Sequence, residues 1–256
     1  MIQGLWQSTA GLSAMQLRQD MLSNNLANAE TPGFKPDWIT LTERVAPIHA
    51  DETLGDGPRL PYSLLDPASA GLSFSAARTD FSPGAIVVSD NPLDLAVDGN
   101  GFLSVRTDQG VRYTRDGRMT TRADGALVSV TGGWEVLDAD GEAVRIDRSS
   151  NAPLQIDASG RVRQGDVLLG ELAFKDFADR SRLRKTGGNL FDASDAQPIE
   201  PMGQLRQGMV EGSGVNPITD MVRMIEASRA YQLNASLITL QDQTLGRAVN
   251  DVGRLA

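Results

Sequence analysis

The sequence predicts an α+β fold in which long helices at both ends of the chain flank an antiparallel β-rich middle. Apolar residues recur at helical spacing over residues 2–29 and 216–255, whereas the middle shows short apolar runs with a period of two. Pairs of Asp or Asn followed by Gly separate those runs, as is typical of antiparallel hairpins. At 256 residues and 40% hydrophobic content, the chain is long enough to bury a sizeable core in one large or two smaller domains.

The carboxyl-terminal segment 216–256 is predicted to form one long helix. Asn216 can cap the first turn, and Pro217 suits the first helical position, where no backbone donor is needed. Such a helix is about 58 Å long at 1.5 Å per residue and needs a partner helix to cover it. Ile218, Val222 and Ile225 widen its apolar stripe at the front. Starting a heptad at Met221 gives these a and d positions: Met221, Met224, Ser228, Tyr231, Ala235, Ile238, Asp242, Leu245, Val249 and Val252.

The amino-terminal segment 1–35 is predicted to supply the partner helix and an exit turn. Pro32 and Gly33 end the helix, since the residue before a proline avoids the α region. The matching stripes favour pairing of the termini as a coiled-coil-like unit, but periodicity alone equally allows a helix hairpin that only closes a globular domain. The heptad positions here are Leu5, Ser8, Leu12, Met15, Gln19, Leu22, Leu26 and Ala29.

Segment 36–80 is predicted to be a linker, because its many prolines and glycines disfavour regular structure. Trp38, Ile39 and Leu41 can form a short extended piece there. His49 is the only histidine of the chain and has no neighbouring cluster. A solvated histidine is therefore favoured over a general base, which needs an orienting partner.

Segment 81–191 is predicted to be the antiparallel β-rich domain, followed by a return segment at 192–215. Turn signals recur throughout it, for example at Asp98-Gly99 and Asp116-Gly117. The predicted strands are 85–88, 93–97, 102–106, 111–114, 126–130, 134–137, 154–156, 162–163 and 167–174.

Composition argues against several classes of protein. The net charge of -9 disfavours a nucleic-acid surface. The absence of cysteine excludes disulfides and thiolate sites. The sequence has no run of about 18 apolar residues, the length that a membrane span needs. The amino terminus lacks the features of a cleaved secretory signal. No catalytic, cofactor or metal motif is recognisable, and Asp94, Asp98 and Asp116 are interpreted as solvated turn residues.

Several motifs resemble those of the flagellar rod and hook protein family, the axial building blocks of the bacterial flagellum. They occur in order along most of the chain except the linker. The stretches are NNLANAETPGFK at 24–35, NPLDLAVDGNGF at 91–102, YTRDG at 113–117, GNLF at 188–191, VEGSGVN at 210–216 and MIEASRAY at 224–231. The residues that carry the terminal and YTRDG motifs are Asn24, Asn25, Asn28, Pro32, Gly33, Phe34, Tyr113, Arg115, Asp116 and Gly117.

This resemblance implies a structural subunit of the flagellar basal-body rod, which crosses the periplasm. The terminal helices would self-assemble into a torque-transmitting tube, with the β domain outside them, and the chain would be exported by the flagellar type III apparatus with its signal uncleaved. Its partners would be copies of itself and neighbouring rod or hook subunits, without nucleic acid or membrane insertion. The length and the ending Gly246-Arg247-Ala248 are more similar to proximal rod proteins than to distal rod or hook proteins, so the resemblance favours a proximal rod protein, although the start MIQGLWQSTAGL is more similar to distal ones.

The rival interpretation is a non-polymerising β-rich binding module, such as a chaperone or an adhesin with a helical stalk. It accounts for the hairpins and the acidic charge but not for the matching terminal stripes. The sequence therefore favours assembly, with the interface at Leu5, Leu12, Met15, Leu22, Leu26, Met221, Met224, Tyr231, Ile238, Leu245, Val249 and Val252.

Overall fold

The computed structural model describes the backbone of residues 2–43, 72–74, 77–150 and 152–253, and the side chains of residues 8–40, 77–150, 152–247 and 250. Most of segment 36–80, including His49, lies outside the described residues. The chain divides into two compact units. Unit 1 consists of Met1–Leu26, Asp37–Arg78 and Pro217–Ala256, and unit 2 consists of Ala27–Pro36 and Thr79–Asn216.

Unit 1 contains both long helices, so the predicted helices at the two termini are confirmed. Helix α1 spans Ile2–Ala27 and helix α2 spans Pro217–Gly253, which begins at the predicted proline. At 37 residues, α2 is about 55 Å long. Three short strands accompany the helices, namely β1 (Asp37–Trp38), β2 (Leu41–Glu43) and β3 (Leu72–Phe74), and β2 pairs with β3 in antiparallel fashion.

The buried side of α1 carries small and polar residues as well as Leu22. Its buried residues are Ser8, Gly11, Ala14, Leu22 and Asn25. A Cβ atom added to Gly11 would lie 3.1 Å from Oδ1 of Asn234, so α1 and α2 approach each other closely at this point. The small residues therefore permit a short distance between the two helices.

Unit 2 is built from short antiparallel strands, which confirms the β-rich middle of the chain. Strand β4 (Arg78–Thr79) precedes them at the unit boundary. The others are β5 (Ile86–Val88), β6 (Leu95–Asp98), β7 (Phe102–Thr107), β8 (Gly110–Thr114), β9 (Met119–Thr121), β10 (Leu127–Ser129), β11 (Glu135–Val136), β12 (Leu154–Ile156), β13 (Arg161–Gln164), β14 (Val167–Glu171), β15 (Phe174–Phe177), β16 (Arg184–Gly187), β17 (Leu190–Asp192), β18 (Pro198–Ile199), β19 (Gln204–Gln207) and β20 (Met209–Glu211).

The central sheet of unit 2 has the strand order β16-β17-β8-β7-β11-β10-β9. Strand β7 lies at its middle: β8 pairs along one edge, and β11 and β15 share the other edge. Strands β12, β13 and β14 form a separate sheet, while β6 pairs with β19 and β5 with β20. The last two pairs attach the end of unit 2 to its beginning.

The predicted strands omit β9, β16 and β17, and they differ from the observed ones in two further places. The run 167–174 was predicted as one strand, but it divides into β14 and β15 because the N–H of Ala173 donates to the carbonyl of Leu137 instead of continuing the hairpin with β13. The predicted return segment 192–215 carries β18, β19 and β20, whose partners are distant in sequence. Local periodicity does not reveal such pairings.

The core of unit 2 has two clusters. The larger one includes Leu95, Leu103, Met119, Leu127 and Val162, all at most 1% exposed. The smaller one is aromatic, and its members are Phe81, Phe102, Tyr113, Phe177 and Phe191. Their rings meet at centroid distances of 4.8 to 5.9 Å in edge-on and tilted arrangements, which aromatic pairs favour. Both clusters pack against β7.

Turns in unit 2 repeatedly use an aspartate followed two residues later by a serine. In each of them the aspartate carboxylate accepts hydrogen bonds from the backbone N–H and the hydroxyl of the serine. The pairs are Asp80–Ser82, Asp147–Ser149, Asp157–Ser159, Asp179–Ser181 and Asp192–Ser194. These bonds hold the reversals without requiring a buried side chain.

We expect Asp157 to titrate at unusually low pH. Desolvation raises the pKa of its carboxyl group, but hydrogen bonds from Ser159 and Arg161 outweigh this effect and lower the pKa to about 2. Because the folded pKa lies below the reference value of 3.8, the stabilisation is complete above pH 3.8 and is lost as the pH falls towards 2. NMR titration that resolves individual carboxyl groups measures the pKa of Asp157. Ser159→Ala should move the midpoint of that titration to higher pH. An unshifted midpoint near 3.8 in the wild-type chain would contradict it.

Candidate assembly site

Helix α2 has one face that packs within unit 1. The residues of this inner face recur every three or four positions, apart from one interval of seven at the exposed Tyr231, and are buried or half-buried: Asp220, Met224, Ala227, Asn234, Ile238, Gln241 and Leu245. Asp220 is 2% exposed and forms an ion pair of 3.1 Å with Arg223 in the first turn. A carboxylate is stabilised there by the partial positive charge of the helix amino terminus.

A second apolar face of α2 is exposed. We call it the exposed stripe, and it consists of Ile218, Val222, Ile225, Leu233, Leu237 and Leu240. At 100° per residue, these six side chains fall within an arc of about 120° whose centre is roughly opposite the inner face. Leu233 is 66% exposed and Leu240 59% exposed. A row of aliphatic side chains on this scale marks an interaction surface.

The structure places the predicted interface residues in several environments. On α1, Leu22 is buried, while Leu12, Met15 and Leu26 are half-buried. On α2, Met224, Ile238 and Leu245 are half-buried on the inner face, whereas Met221 and Tyr231 are exposed. The side chains of Leu5, Val249 and Val252 lie outside the described residues.

Sequence reasoning missed most of the exposed stripe. A heptad assigns one seam to a helix, so Leu233, Leu237 and Leu240 fell at positions that a two-helix pair leaves in solvent. The available signal was the spacing of Leu233, Leu237 and Leu240 at intervals of four and three, which is itself helical.

In unit 2, three charged side chains form a fully buried cluster, which we call the ionic cluster. Lys35, Arg115 and Glu211 each have 0% side-chain exposure. Nζ of Lys35 lies 2.6 Å from Oε1 of Glu211, and Nη1 of Arg115 lies 3.1 Å from Oε2. One carboxylate therefore forms ion pairs with two cations that are distant from each other in sequence.

Backbone groups satisfy most of the remaining hydrogen bonds of the ionic cluster. Lys35 donates to the carbonyl of Ser82 at 2.7 Å, Arg115 donates to the carbonyl of Gly99 at 3.0 Å, and the N–H of Gly84 donates to Glu211. The guanidinium of Arg115 also lies 5.0 Å above the ring of Phe102, although its Nε has no partner among the described residues. Burial lowers the pKa of Lys35, and the neighbouring Glu211 opposes that shift.

The exit segment 27–36 is fastened to the residues that lead back out of unit 2. The N–H of Gly33 donates to the carbonyl of Glu211 at 2.7 Å, and the N–H of Gly214 donates to the carbonyl of Phe34 at 2.9 Å. Ser213 donates to the carbonyl of Asn28 at 2.9 Å. The exit segment and the last residues of unit 2, which adjoin three of the four crossings between the units, are thus hydrogen-bonded to each other within unit 2.

The remaining motif residues of the amino-terminal stretch also make specific contacts. In unit 1, the side-chain amide of Asn25 makes two hydrogen bonds with the backbone of Asp37, whereas Asn24 is exposed. In unit 2, Pro32 accepts a hydrogen bond from Asn189 at 2.8 Å, and the ring of Phe34 lies 4.6 Å from Nζ of Lys185. The polar motif residues are therefore mainly structural.

The residues of the YTRDG motif lie beside the exit segment in unit 2. Gly33 has a φ of +69°, and a Cβ there would lie 2.4 Å from the backbone of Arg115. Tyr113 packs edge-on against Phe177, and burial raises the pKa of its hydroxyl group. The two sequence motifs, far apart along the chain, thus meet at one place.

Two aspartates that were interpreted as solvated are in fact buried. Asp94 is 6% exposed and accepts a hydrogen bond from Asn91 at 2.7 Å. Asp116 is 2% exposed and accepts two hydrogen bonds from Arg118, of 2.8 and 3.0 Å. The sequence interpretation was wrong because the hydrogen-bond partners that offset desolvation were not apparent. Asp98, by contrast, forms a partly exposed ion pair with Arg206.

We expect Gly117→Ala to destabilise unit 2 strongly. A Cβ at this position would lie 1.6 Å from the carbonyl oxygen of Leu95, whose N–H donates to the carbonyl of Gly117 at 2.9 Å. The two backbones would have to separate, at a cost of about 2–4 kcal/mol by analogy with overpacked cores. Urea denaturation measures the loss. Gly246→Ala on α2 meets no atom within 4 Å and is the control that should not destabilise.

The described residues include neither a cluster of metal ligands nor a helix that could span a membrane. No group of three or more histidine, aspartate or glutamate residues among them could hold a metal ion. No helix that the structure describes is long and apolar enough to cross a membrane.

Three family models match the regions that carry these features. They are the flagella basal body rod protein model at residues 8–35, the flagellar hook protein FlgE/F/G D1 domain model at residues 96–164, and the flagellar basal body rod FlgEFG protein C-terminal model at residues 206–251. The first covers most of α1 and the exit segment, the second the central β strands, and the third β20 and most of α2.

Whole-chain relatives agree with these models. The chain is 34% identical to the flagellar basal-body rod protein FlgF of Caulobacter vibrioides, with 96% of this chain and 97% of the relative covered. It is 31% identical to FlgG of Buchnera aphidicola subsp. Acyrthosiphon pisum, with coverages of 96% and 98%, and 30% identical to FlgG of Bacillus subtilis, with coverages of 98% and 99%. The binding-module alternative is not favoured by these relatives. The chain belongs to the flagellar basal-body rod protein family and is a structural subunit of the flagellar basal body that assembles with other axial subunits.

Proposed function

We propose that α1 and α2 pair within the chain as a coiled-coil-like unit of the rod core, and that the exposed stripe is the surface on which a neighbouring subunit packs. The inner face of α2 is already occupied within unit 1, whereas the stripe is not. The single observation that carries this proposal is the presence of two apolar faces on opposite sides of one helix.

The close approach at Gly11 and Asn234 supports the pairing of α1 with α2. The stripe supports the contact between subunits, because burying a leucine side chain contributes about 1.5–3 kcal/mol. Several such residues on each subunit supply enough free energy to hold neighbours together in a non-closing, head-to-tail arrangement. In this proposal the role is structural rather than catalytic, and the assembled helices form a tube that transmits torque.

In this proposal, unit 2 folds independently of the terminal helices that assemble the rod. It has its own apolar and aromatic cores, and the ionic cluster joins the exit segment to the end of the unit. In our proposal it retains its fold whether or not the terminal helices have found their neighbours. The proposed domain organisation is accordingly a helical rod core formed by 1–35 and 216–256, a linker 36–80, the β-rich domain 81–191 and its return segment 192–215.

Delivery and position are also part of the proposal. The chain reaches the rod through the flagellar type III export apparatus without cleavage of its amino terminus, and it occupies the proximal part of the rod. The identity of 34% with a FlgF protein supports the proximal assignment, although FlgG proteins are nearly as similar. Stalling of assembly before the distal rod in a deletion strain is the expected phenotype, and rods of full length in that strain would contradict it.

We expect deletion of Pro217–Ala256 to abolish incorporation into basal bodies while unit 2 stays folded. The deletion removes both faces of α2 but none of unit 2. Quantitative mass spectrometry of isolated basal bodies measures incorporation.

Hydrogen exchange of the purified truncated chain is the control for folding. Amides of the central strands β7 and β8 should keep the protection that they have in the full chain. Incorporation of the truncated chain at the wild-type level would contradict the proposal.

A further inference from the structure

A cavity of about 310 Å³ lies within unit 1, between the end of α1, the β1 segment and the start of α2. This is about twice the volume of a cavity of about 150 Å³ that accepts benzene. Met21, Leu22 and Ile39 form its apolar lining, and Arg18, Trp38 and Arg223 provide polar groups. The cavity is large enough to hold side chains from another molecule.

The polar groups around the cavity are hydrogen-bond donors whose capacity is not used up. Arg223 pairs with Asp220 and lies 4.4 Å above the ring of Trp38. Arg18 has neither a hydrogen bond nor an ion pair among the residues that the structure describes, and the indole N–H of Trp38 has no acceptor among them. A guanidinium beside an indole and an apolar lining is complementary to a carboxylate that is flanked by aliphatic side chains.

The exposed stripe carries such a carboxylate. Glu226 is exposed, has no ion pair among the described residues, and lies within the arc of the stripe, four residues from Val222. Asp242 fits less well, because it lies about 160° around the helix from Leu240, the last residue of the stripe.

We infer that the cavity receives Glu226 and its aliphatic neighbours from a second copy of this chain, with Glu226 paired to Arg18. The inference rests on the proposed function, since it names the contact through which the exposed stripe acts. Arg223 and Glu226 are three residues apart along α2 and about 60° apart around its axis, so the receptor and the ligand lie at the same level of the helix. In the proposed contact, the cavity of one copy receives Glu226 of the next copy, in a heterologous, head-to-tail manner.

Charge reversal tests this contact in cells, with the amount of chain in isolated basal bodies as the measurement. Arg18→Glu alone and Glu226→Arg alone should each lower incorporation at least about tenfold, since each places like charges together. The double variant should return to within about twofold of wild type.

Co-expression of the two single variants should also restore incorporation. When the two kinds of copy alternate, the glutamate introduced by Arg18→Glu meets the arginine introduced by Glu226→Arg. At the next contact, the unchanged Arg18 of one variant meets the unchanged Glu226 of the other. A contact inside one chain cannot be rescued in this way, so co-expression identifies the contact as one between copies.

Two controls separate this contact from general effects of charge. Arg163→Glu changes an exposed arginine of unit 2 that has no ion pair in the described residues, and it should leave incorporation unchanged. Asp242→Arg should not rescue Arg18→Glu. Should Arg18→Glu misfold by circular dichroism, Arg18→Gln removes the charge with a smaller change and must still lower incorporation.

Wild-type incorporation of Arg18→Glu or Arg18→Gln, or failure of the double variant and of co-expression to rescue, would overturn the inference. The proposed function would survive that result, because it is tested separately, by the deletion of Pro217–Ala256 and by changes within the exposed stripe.

Discussion

Replacing Glu211 by Gln is expected to lower the free energy of unfolding of unit 2 by about 3–5 kcal/mol, because it leaves Lys35 and Arg115 buried without a counter-charge. The amide keeps the shape of the carboxylate, so no cavity forms and the effect is electrostatic. Urea denaturation of the full chain, followed by the fluorescence or circular dichroism of unit 2, measures it.

Replacing the shared carboxylate of the ionic cluster is expected to cost more stability than replacing one of its two cations. Lys35→Met removes one of two cations and leaves a balanced pair of Arg115 and Glu211, so it should cost less than Glu211→Gln. Asp98→Asn breaks the partly exposed pair with Arg206 and is the control, expected to cost about 0–1 kcal/mol. A loss for Glu211→Gln no larger than that of Asp98→Asn would show that the cluster does not hold the exit segment in place.

Replacing both Leu233 and Leu240 by Arg is expected to abolish incorporation into the rod and therefore motility. Both side chains are largely exposed in the single chain, and Arg has a helix propensity close to that of Leu. The free energy of unfolding should therefore change by no more than about 0.5 kcal/mol per site. In the assembled rod the same positions would bury two unpaired charges per contact.

The matched control is the double replacement of the same leucines by Met, which keeps an apolar surface and a good helix former. It should incorporate at close to the wild-type level and support swimming. Motile cells with normal incorporation of the Leu-to-Arg variant would show that the stripe faces solvent in the rod.

The sequence was sufficient for the parts of the fold that local chemistry determines. Pro217 marks the start of α2, and Asx-Gly pairs such as Asp124-Gly125, between β9 and β10, mark reversals between strands, because a single residue type decides the backbone conformation there. The limits of β14 and β15 were not predictable in this way. They depend on the hydrogen bond from Ala173 to Leu137, which lies elsewhere in the chain.

The candidate sites likewise combine features that the local sequence indicates with features that depend on distant residues. The motif residues Gly33, Arg115 and Gly117 were identified from their stretches, but nothing local indicates that Lys35 contacts Glu211, 176 residues away. The burial of Asp94 and Asp116 was missed for the same reason. The exposed stripe was missed because a heptad describes one apolar seam, and α2 has two.

The accessibility of residue 240 in the assembled rod tests the central claim most directly. The chain contains no cysteine, so Leu240→Cys introduces a single thiol whose reaction with a maleimide reports on that position alone. We predict rapid labelling in the purified monomer and strong protection in isolated basal bodies, with an exposed unit 2 position such as Val167→Cys labelled in the monomer as a reference. Equally rapid labelling of Leu240→Cys in monomer and rod would contradict the assignment of the stripe as a contact between subunits.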